Sequence, residues 1–214
     1  MDILLIGATG LVGRECLRLL AATPAIARVV VLARRPLPPA MLAPKVEVRV
    51  TDFALLGTAE LFPKVDAVLC ALGTTIRQAG SPERFREVDY GYPLTHAKLA
   101  LARGARQFLL VSATGANARS RMLYSRVKGE LEAAVSALGF RGVTIARPSF
   151  LVGDREEFRL AERILTPIAH LIPGRLRAVK ATAVAKVLVD AALADRPGVR
   201  VLESEEIRKL EKRV

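Results

Sequence analysis

Apolar runs of strand length alternate with stretches of helical period along this chain. Asp2-Ile3-Leu4-Leu5-Ile6 is the first run, residues 11–22 then carry apolar positions at helical spacing, and Arg28–Ala33 is a second, β-branched run. Val46-Glu47-Val48-Arg49-Val50 alternates strictly, as a strand nearer a sheet edge does, whereas Val65–Leu72 is continuously apolar, as a central parallel strand is. Gln107–Ser112 and Val143–Ala146 predict strands five and six. Helices are expected from Ser81-Pro82-Glu83 through Ala102, over Ser120–Leu138, around Glu156–Leu171, over Ala181–Ala194 and over Glu205–Lys212, with Gly198–Leu202 as a last strand. Prolines 36, 38, 39 and 44 exclude a regular helix between strands two and three. Strands alternating with helices, without a repeat or a linker, predict one α/β domain over residues 1–214: a doubly wound parallel sheet of order 3-2-1-4-5-6 in three α/β/α layers.

The turn after the first strand reads Gly7-Ala8-Thr9-Gly10-Leu11-Val12-Gly13, a GxxGxxG spacing between a strand and a helix. A dinucleotide pyrophosphate approaches the backbone at a helix N-terminus, where free N–H groups and the positive dipole end meet it, so side chains there must be absent. Gly7 and Gly10 clear that space, and Gly13 allows close packing of helix and strand. A glycine triplet alone is weak; its place in a Rossmann-type unit raises it, with a second strand ending about 20 residues further on where a ribose reader belongs. That position holds Arg34 and Arg35 in place of the acid that would favour NAD(H), which suits a 2′-phosphate and predicts NADP(H); the competing reading makes them two ordinary surface arginines. Asp52-Phe53 follows strand three on the adenine side, where Asp52 either accepts from the adenine amino group or caps the next turn. Gly73-Thr74-Thr75 and Arg147-Pro148-Ser149 end strands four and six at the same ligand-facing edge.

Composition narrows the class. The mean hydropathy of +0.30 suggests a membrane, but the longest charge-free stretch, Gln107–Ala118, has 12 residues and is too short to span one. With an acidic residue at position 2 and no signal-peptide pattern, a soluble cytosolic protein is expected. Cys16 and Cys70 read as reduced core thiols, and two histidines make a metal site improbable. The net charge of +12 is dispersed along the chain, and aromatics are 5% of residues, so non-specific polyanion affinity is expected and specific nucleic-acid recognition is not.

Tyr124-x-x-x-Lys128 sets a phenol and an ammonium on one helical face. A free tyrosine, with pKa about 10, is a poor acid or base at neutral pH; an ammonium and an oxidised nicotinamide nearby favour its phenolate. Ser112, at the end of strand five, is placed to align a carbonyl or alcohol oxygen. Tyr90, Tyr92 and His96 read as packing or surface residues.

Together the GxxGxxG turn, Tyr124-x-x-x-Lys128 and Arg147-Pro148-Ser149 resemble the short-chain dehydrogenase/reductase superfamily in its atypical, NAD(P)-binding branch. More narrowly, Cys70–Thr75, Val88-Asp89, Tyr124–Glu130 (YSRVKGE) and Val201-Leu202-Glu203 are similar to the Tat-interacting-protein oxidoreductases and their bacterial relatives. The resemblance implies NADPH bound by Thr9–Val12, by Arg34 and Arg35, by Leu72, Gly73 and Leu151, with Arg159 near the phosphates. Tyr124 would be the proton donor and Lys128 the ribose ligand. Relatives often carry Ser-Ser where this chain has Ser112-Ala113, so the catalytic hydroxyl falls to Ser112, or to Thr114 with a shifted turn, or is missing. Three readings follow: an NADP(H)-dependent oxidoreductase acting on a small carbonyl or alcohol, a regulatory NADPH-binding module acting through a protein partner, and a polyanion-binding protein. A homodimer is compatible with each.

Overall fold

The computed structural model describes residues 1–55, 62–152 and 177–211. Nine strands lie among them: β1 (Asp2–Ile6), β2 (Arg28–Ala33), β3 (Val46–Val50), β4 (Ala67–Cys70), β5 (Gln107–Val111), β6 (Gly142–Arg147), β7 (Leu151–Val152), β8 (Val179–Lys180) and β9 (Gly198–Glu203). Seven form one sheet of order β3-β2-β1-β4-β5-β6-β9, parallel throughout. The expected Rossmann-type order is observed, and the last strand extends it beyond β6. A small parallel pair, β7 with β8, was not foreseen; two residues per strand leave no periodicity to read.

The helices are α1 (Leu11–Ala22), α2 (Ile76–Ala79), α3 (Pro82–Arg86), α4 (Tyr92–Ala102), α5 (Leu123–Ser136), α6 (Ala181–Ala194) and α7 (Ser204–Glu211). Because successive strand residues point to opposite faces, Ile3, Leu5, Val29, Val31 and Leu69 pack with α1 and α6. Leu4, Ile6, Val30, Val68 and Cys70 pack with α4 and α5 on the other face. This double burial is why β1, β2 and β4 read as unbroken apolar runs. Cys16 and Cys70 are reduced and buried, and burial pushes the thiol of Cys16 up and that of Cys70 to about 11.

Two helices differ from the sequence reading. The helix opened by Ser81 starts as expected, with Ser81 Oγ accepting from Arg84 N at 3.1 Å and Pro82 in the first turn. It then passes through a π-turn at Glu87–Gly91 before continuing as α4. The helix expected from Ser120 begins at Leu123, because residues 117–122 fold into a hydrogen-bonded turn. The expected helix at 156–171, and Arg159 within it, lie outside the described residues.

Candidate functional site

In the sheet register Ile6 stands opposite Leu32 on β2 and Cys70 on β4. The exits of these three strands are therefore level, and the glycine turn, Arg34 and Leu72 come to one edge. Gly7 has φ +85°, and a Cβ there would lie 2.6 Å from the carbonyl carbon of Ala71 and the amide nitrogen of Leu72. Glycine is required by both conformation and space. A Cβ on Gly13 would collide with the carbonyl of Gly7, so this glycine serves the turn itself as well as helix packing. Gly10 caps α1 without a side chain, and the first turn of α1 carries no acid. Its positive end is thus left for an anion.

Between this turn, the end of β2 and the residue after β4 lies a cleft of about 370 Å³, with Gly7, Thr9, Arg34, Arg35, Phe53 and Leu72 in its walls. Ala8 is buried beneath the turn, and Thr9 is exposed above it, its carbonyl accepting from Arg14 Nε at 3.2 Å. Leu11 is half-buried and Val12 is buried in the first turn of α1. Arg34 and Arg35 are exposed and form no ion pair with a described residue. Phe53 is buried, its ring edge-on to His96 at 4.8 Å and to Tyr92 at 5.7 Å. Of the two roles open for Asp52, the structure contains the cap: its Oδ1 accepts from Ala54 N at 2.9 Å. A cradle that only glycine fits, a helix end without an acid and two guanidiniums with no ion-pair partner among the described residues fit a dinucleotide phosphate.

Tyr124 and Lys128 lie one turn apart on α5, as expected. Tyr124 is half-buried against Phe85 of α3, ring centroids 5.7 Å apart. Lys128 is buried, its Nζ 2.7 Å from Asp89 Oδ1. The other oxygen of Asp89 accepts from Thr74 N at 2.8 Å, and a Cβ on Gly73 would meet both Asp89 and Lys128 at 3.3–3.4 Å. Burial pulls the Lys128 pKa down, but Asp89 and Tyr124 more than offset it and the net value is raised, so the ammonium stays charged. Asp89 enters the sequence reading only through the Val88-Asp89 resemblance, and the structure makes it the partner of Lys128. An acid amid Val88, Tyr90 and Tyr92 was the available signal, and the π-turn swings it inward.

Ser112 bonds to the same helix, at Glu132, one turn beyond Lys128. It continues β5, its amide bonding Ala146 O, and its hydroxyl donates to Glu132 Oε1 at 2.5 Å. Arg147 holds the same carboxylate through Nε at 3.0 Å and Nη2 at 2.5 Å and reaches Glu203 at 2.8 Å. Thr114 Oγ1 donates to Arg147 O at 3.0 Å. The two hydroxyls considered for a triad with Tyr124 and Lys128 thus donate to Glu132 and to the Arg147 carbonyl. Pro148 is buried at the end of β6, its carbonyl accepting from Thr114 N, and Leu151 on β7 packs toward α1 and α6.

Comparison with known proteins agrees with this geometry. The dTDP-glucose 4,6-dehydratase DesIV from Streptomyces venezuelae, solved with NAD and TYD bound, superposes with a TM-score of 0.74 at 18% identity, over 99% of this chain and 80% of that one. MoeE5, solved with UDP-glucose and NAD, superposes with a TM-score of 0.73 at 15% identity, over 100% and 82%. These likenesses carry the fold. Among sequence relatives, the protein FMP52, mitochondrial, of Candida albicans is 36% identical over 201 residues, covering 90% of this chain and 88% of that protein. The corresponding protein of Emericella nidulans is 38% identical over 168 residues, covering 76% and 72%. The relatives are named as FMP52 proteins, not specifically as Tat-interacting-protein oxidoreductases, and they are called mitochondrial, which overturns the cytosolic assignment. Residues 7–195 match the family described as NAD(P)H-binding, and the chain belongs to that family.

Proposed function

We propose that this protein is an NADP(H)-dependent oxidoreductase of short-chain dehydrogenase type acting on a carbonyl or alcohol substrate. The observation that carries the reading is the Tyr124–Lys128 pair at the start of α5, set beside Gly73 at the same sheet edge as the glycine turn. NADPH, when bound, supplies the hydride. Tyr124 gives its phenolic proton to the substrate oxygen, and takes it back in the reverse direction. Lys128, held by Asp89, keeps a positive charge beside the phenol and offsets the negative charge left when the proton has gone. Arg34 and Arg35, exposed and unpaired at the cleft, support NADP(H) over NAD(H) through bidentate bonds to a 2′-phosphate. A mitochondrial setting follows the names of the relatives, and the segment Tyr124–Glu130 supports a further kinship with the Tat-interacting-protein oxidoreductases.

One observation favours a second reading, a regulatory NADPH-binding module: Ala113 has no hydroxyl, and those of Ser112 and Thr114 donate to groups outside the Tyr124–Lys128 pair. Titrating NADPH by fluorescence and following its consumption over a panel of aldehydes and ketones, for the natural protein and Tyr124→Phe, separates the two. Binding by both proteins with turnover only by the natural one is expected. Binding without any turnover would favour the module, and no binding would remove both readings.

A further inference from the structure

The loop between β5 and α5 is built as a rigid platform. Asn117 N bonds Ser125 O and Ser120 N bonds Asn117 O, both at 2.9 Å. Asn117 Oδ1 accepts from Arg119 N at 2.9 Å, and Ser120 Oγ accepts from Met122 N at 3.1 Å. Arg126 reaches back from α5 to the carbonyls of Ser120 and Arg121 at 3.1 and 3.3 Å. A Cβ on Gly129 would collide with the backbone of Asn117 and Ala118, so the loop lies directly on the helix that carries Tyr124. Yet the outward side chains of this loop do no structural work. Arg119 and Arg121 are exposed with no side-chain partner among the described residues, and Met122 is 69% exposed.

The neighbouring strand ends repeat the pattern. After β4, Ile76 is 41% exposed and Arg77 has no ion-pair partner among the described residues; after β6, Phe150 is 63% exposed. Residues 71–82, 112–129 and 148–152 contain no Asp or Glu. Three adjacent strands, β4, β5 and β6, therefore end beside exposed apolar side chains, and the exits of β4 and β5 add guanidiniums with no ion-pair partner among the described residues. Single exposed hydrophobics need no explanation. Three at the exits of adjacent strands, with exposed cations and no acid in the same segments, describe a ligand.

We propose that the substrate is an anionic amphiphile: a carbonyl compound with an apolar chain and a carboxylate or phosphate, its anion held by Arg119 and Arg121 with Arg77 adjacent, its chain against Met122, Ile76 and Phe150. Arginine suits this role because its planar fork binds either anion in bidentate fashion. The inference rests on the oxidoreductase reading for the carbonyl, not for the anion.

The test is calorimetric titration of the protein–NADPH complex with decanoate, decyl phosphate, decanol and acetate. Decanoate or decyl phosphate should bind at least about tenfold tighter than decanol, a gap typical of charge-assisted bonds, and decanoate should bind tighter than acetate. The stronger of the two decyl anions identifies the headgroup. The double variant R119A/R121A should lose that preference while retaining its melting temperature and its NADPH affinity. Arg106→Ala, at the opposite sheet edge, should keep the preference. Decanol binding as tightly as the anions, or Arg106→Ala costing as much as the loop variant, would overturn the proposal. Anion preference in a protein that consumes no NADPH with any aldehyde would retire the reaction and leave the loop's specificity standing. Turnover of neutral and anionic aldehydes with equal KM would do the reverse.

Discussion

Lys128 Nζ stands 2.7 Å from Asp89 Oδ1, with side-chain exposures of 5% and 0%. Removing one partner of such a pair leaves an uncompensated buried charge, which costs about 3–5 kcal/mol. Asp89→Asn should lower the urea midpoint accordingly and weaken NADPH binding, because the Thr74 amide and the Lys128 ammonium share that carboxylate. The pKa of Lys128 in the folded protein is raised above the ordinary lysine value of about 10.5, so its stabilisation is fully present below pH 10.5 and is lost as pH rises through the folded value. Stability of the natural protein that declined between pH 7 and 9 through this pair would contradict the geometry.

The glycine turn separates fold from ligand. Gly13→Ala puts a methyl group into the carbonyl of Gly7, a backbone atom that cannot swing away, and should cost several kcal/mol or abolish soluble expression. Gly10→Ala meets the same carbonyl at 3.2 Å and needs only a small shift. It should fold, yet lose about tenfold or more in NADPH affinity, because its methyl stands where a pyrophosphate approaches the helix end. Equal melting temperatures for the two variants would refute this division.

Arg34→Ala with Arg35→Ala should leave thermal stability unchanged, since neither side chain pairs with a described residue and both are exposed. The NADPH/NADH affinity ratio should fall by about ten- to a hundredfold, the worth of one or two charge-assisted bonds. A parallel loss for both nucleotides would remove the 2′-phosphate from the account.

Ser112 offers a test of what the hydroxyl at the end of β5 is for. Its bond to Glu132 predicts that Ser112→Ala costs about 1–2 kcal/mol of stability, with Arg147 still holding the carboxylate. NADPH affinity should be unchanged and any turnover reduced by less than about tenfold, below the loss expected of a proton-transfer group. A hundredfold fall in kcat at constant stability would return Ser112 to the catalytic set.

What could be read beforehand follows from range of interaction. Sheet order, α1 and the glycine turn were legible because strand–turn–helix units express themselves in contiguous residues, and Gly7, Gly10 and Gly13 act within one turn. The Asp89–Lys128 pair joins residues 39 positions apart, and the Ser112–Glu132–Arg147 network joins three elements; no spacing rule encodes either. Helix continuity misled in a similar way: the apolar spacing over 82–102 has no break, and only packing at Asp89 reveals the π-turn. Arg34 and Arg35 stood out because an expected acid was replaced by two cations, a local signal.

His96 gives the sharpest pH dependence. It is fully buried, with Nδ1 2.5 Å from Tyr92 O. A carbonyl only accepts, so Nδ1 carries the proton and the neutral Nε2 is left as a buried acceptor with no partner among the described residues, near the rings of Phe53 and Phe62. Burial lowers the imidazole pKa from 6.5 to about 4, with the Tyr92 bond opposing it. A depressed folded pKa means that the unfolded chain takes the proton first. The stabilisation is therefore complete above pH 6.5 and is lost as pH falls toward 4, by at most about 3.5 kcal/mol at about 1.4 kcal/mol per unit. Because Phe53 also walls the nucleotide cleft and His96 in the folded protein stays neutral until pH nears 4, NADPH affinity should weaken through this group only near pH 4. Urea unfolding at pH 7, 6, 5 and 4.5 for the natural protein and His96→Leu measures it: the variant should have the flatter profile, and identical acid slopes would show that other groups carry the dependence.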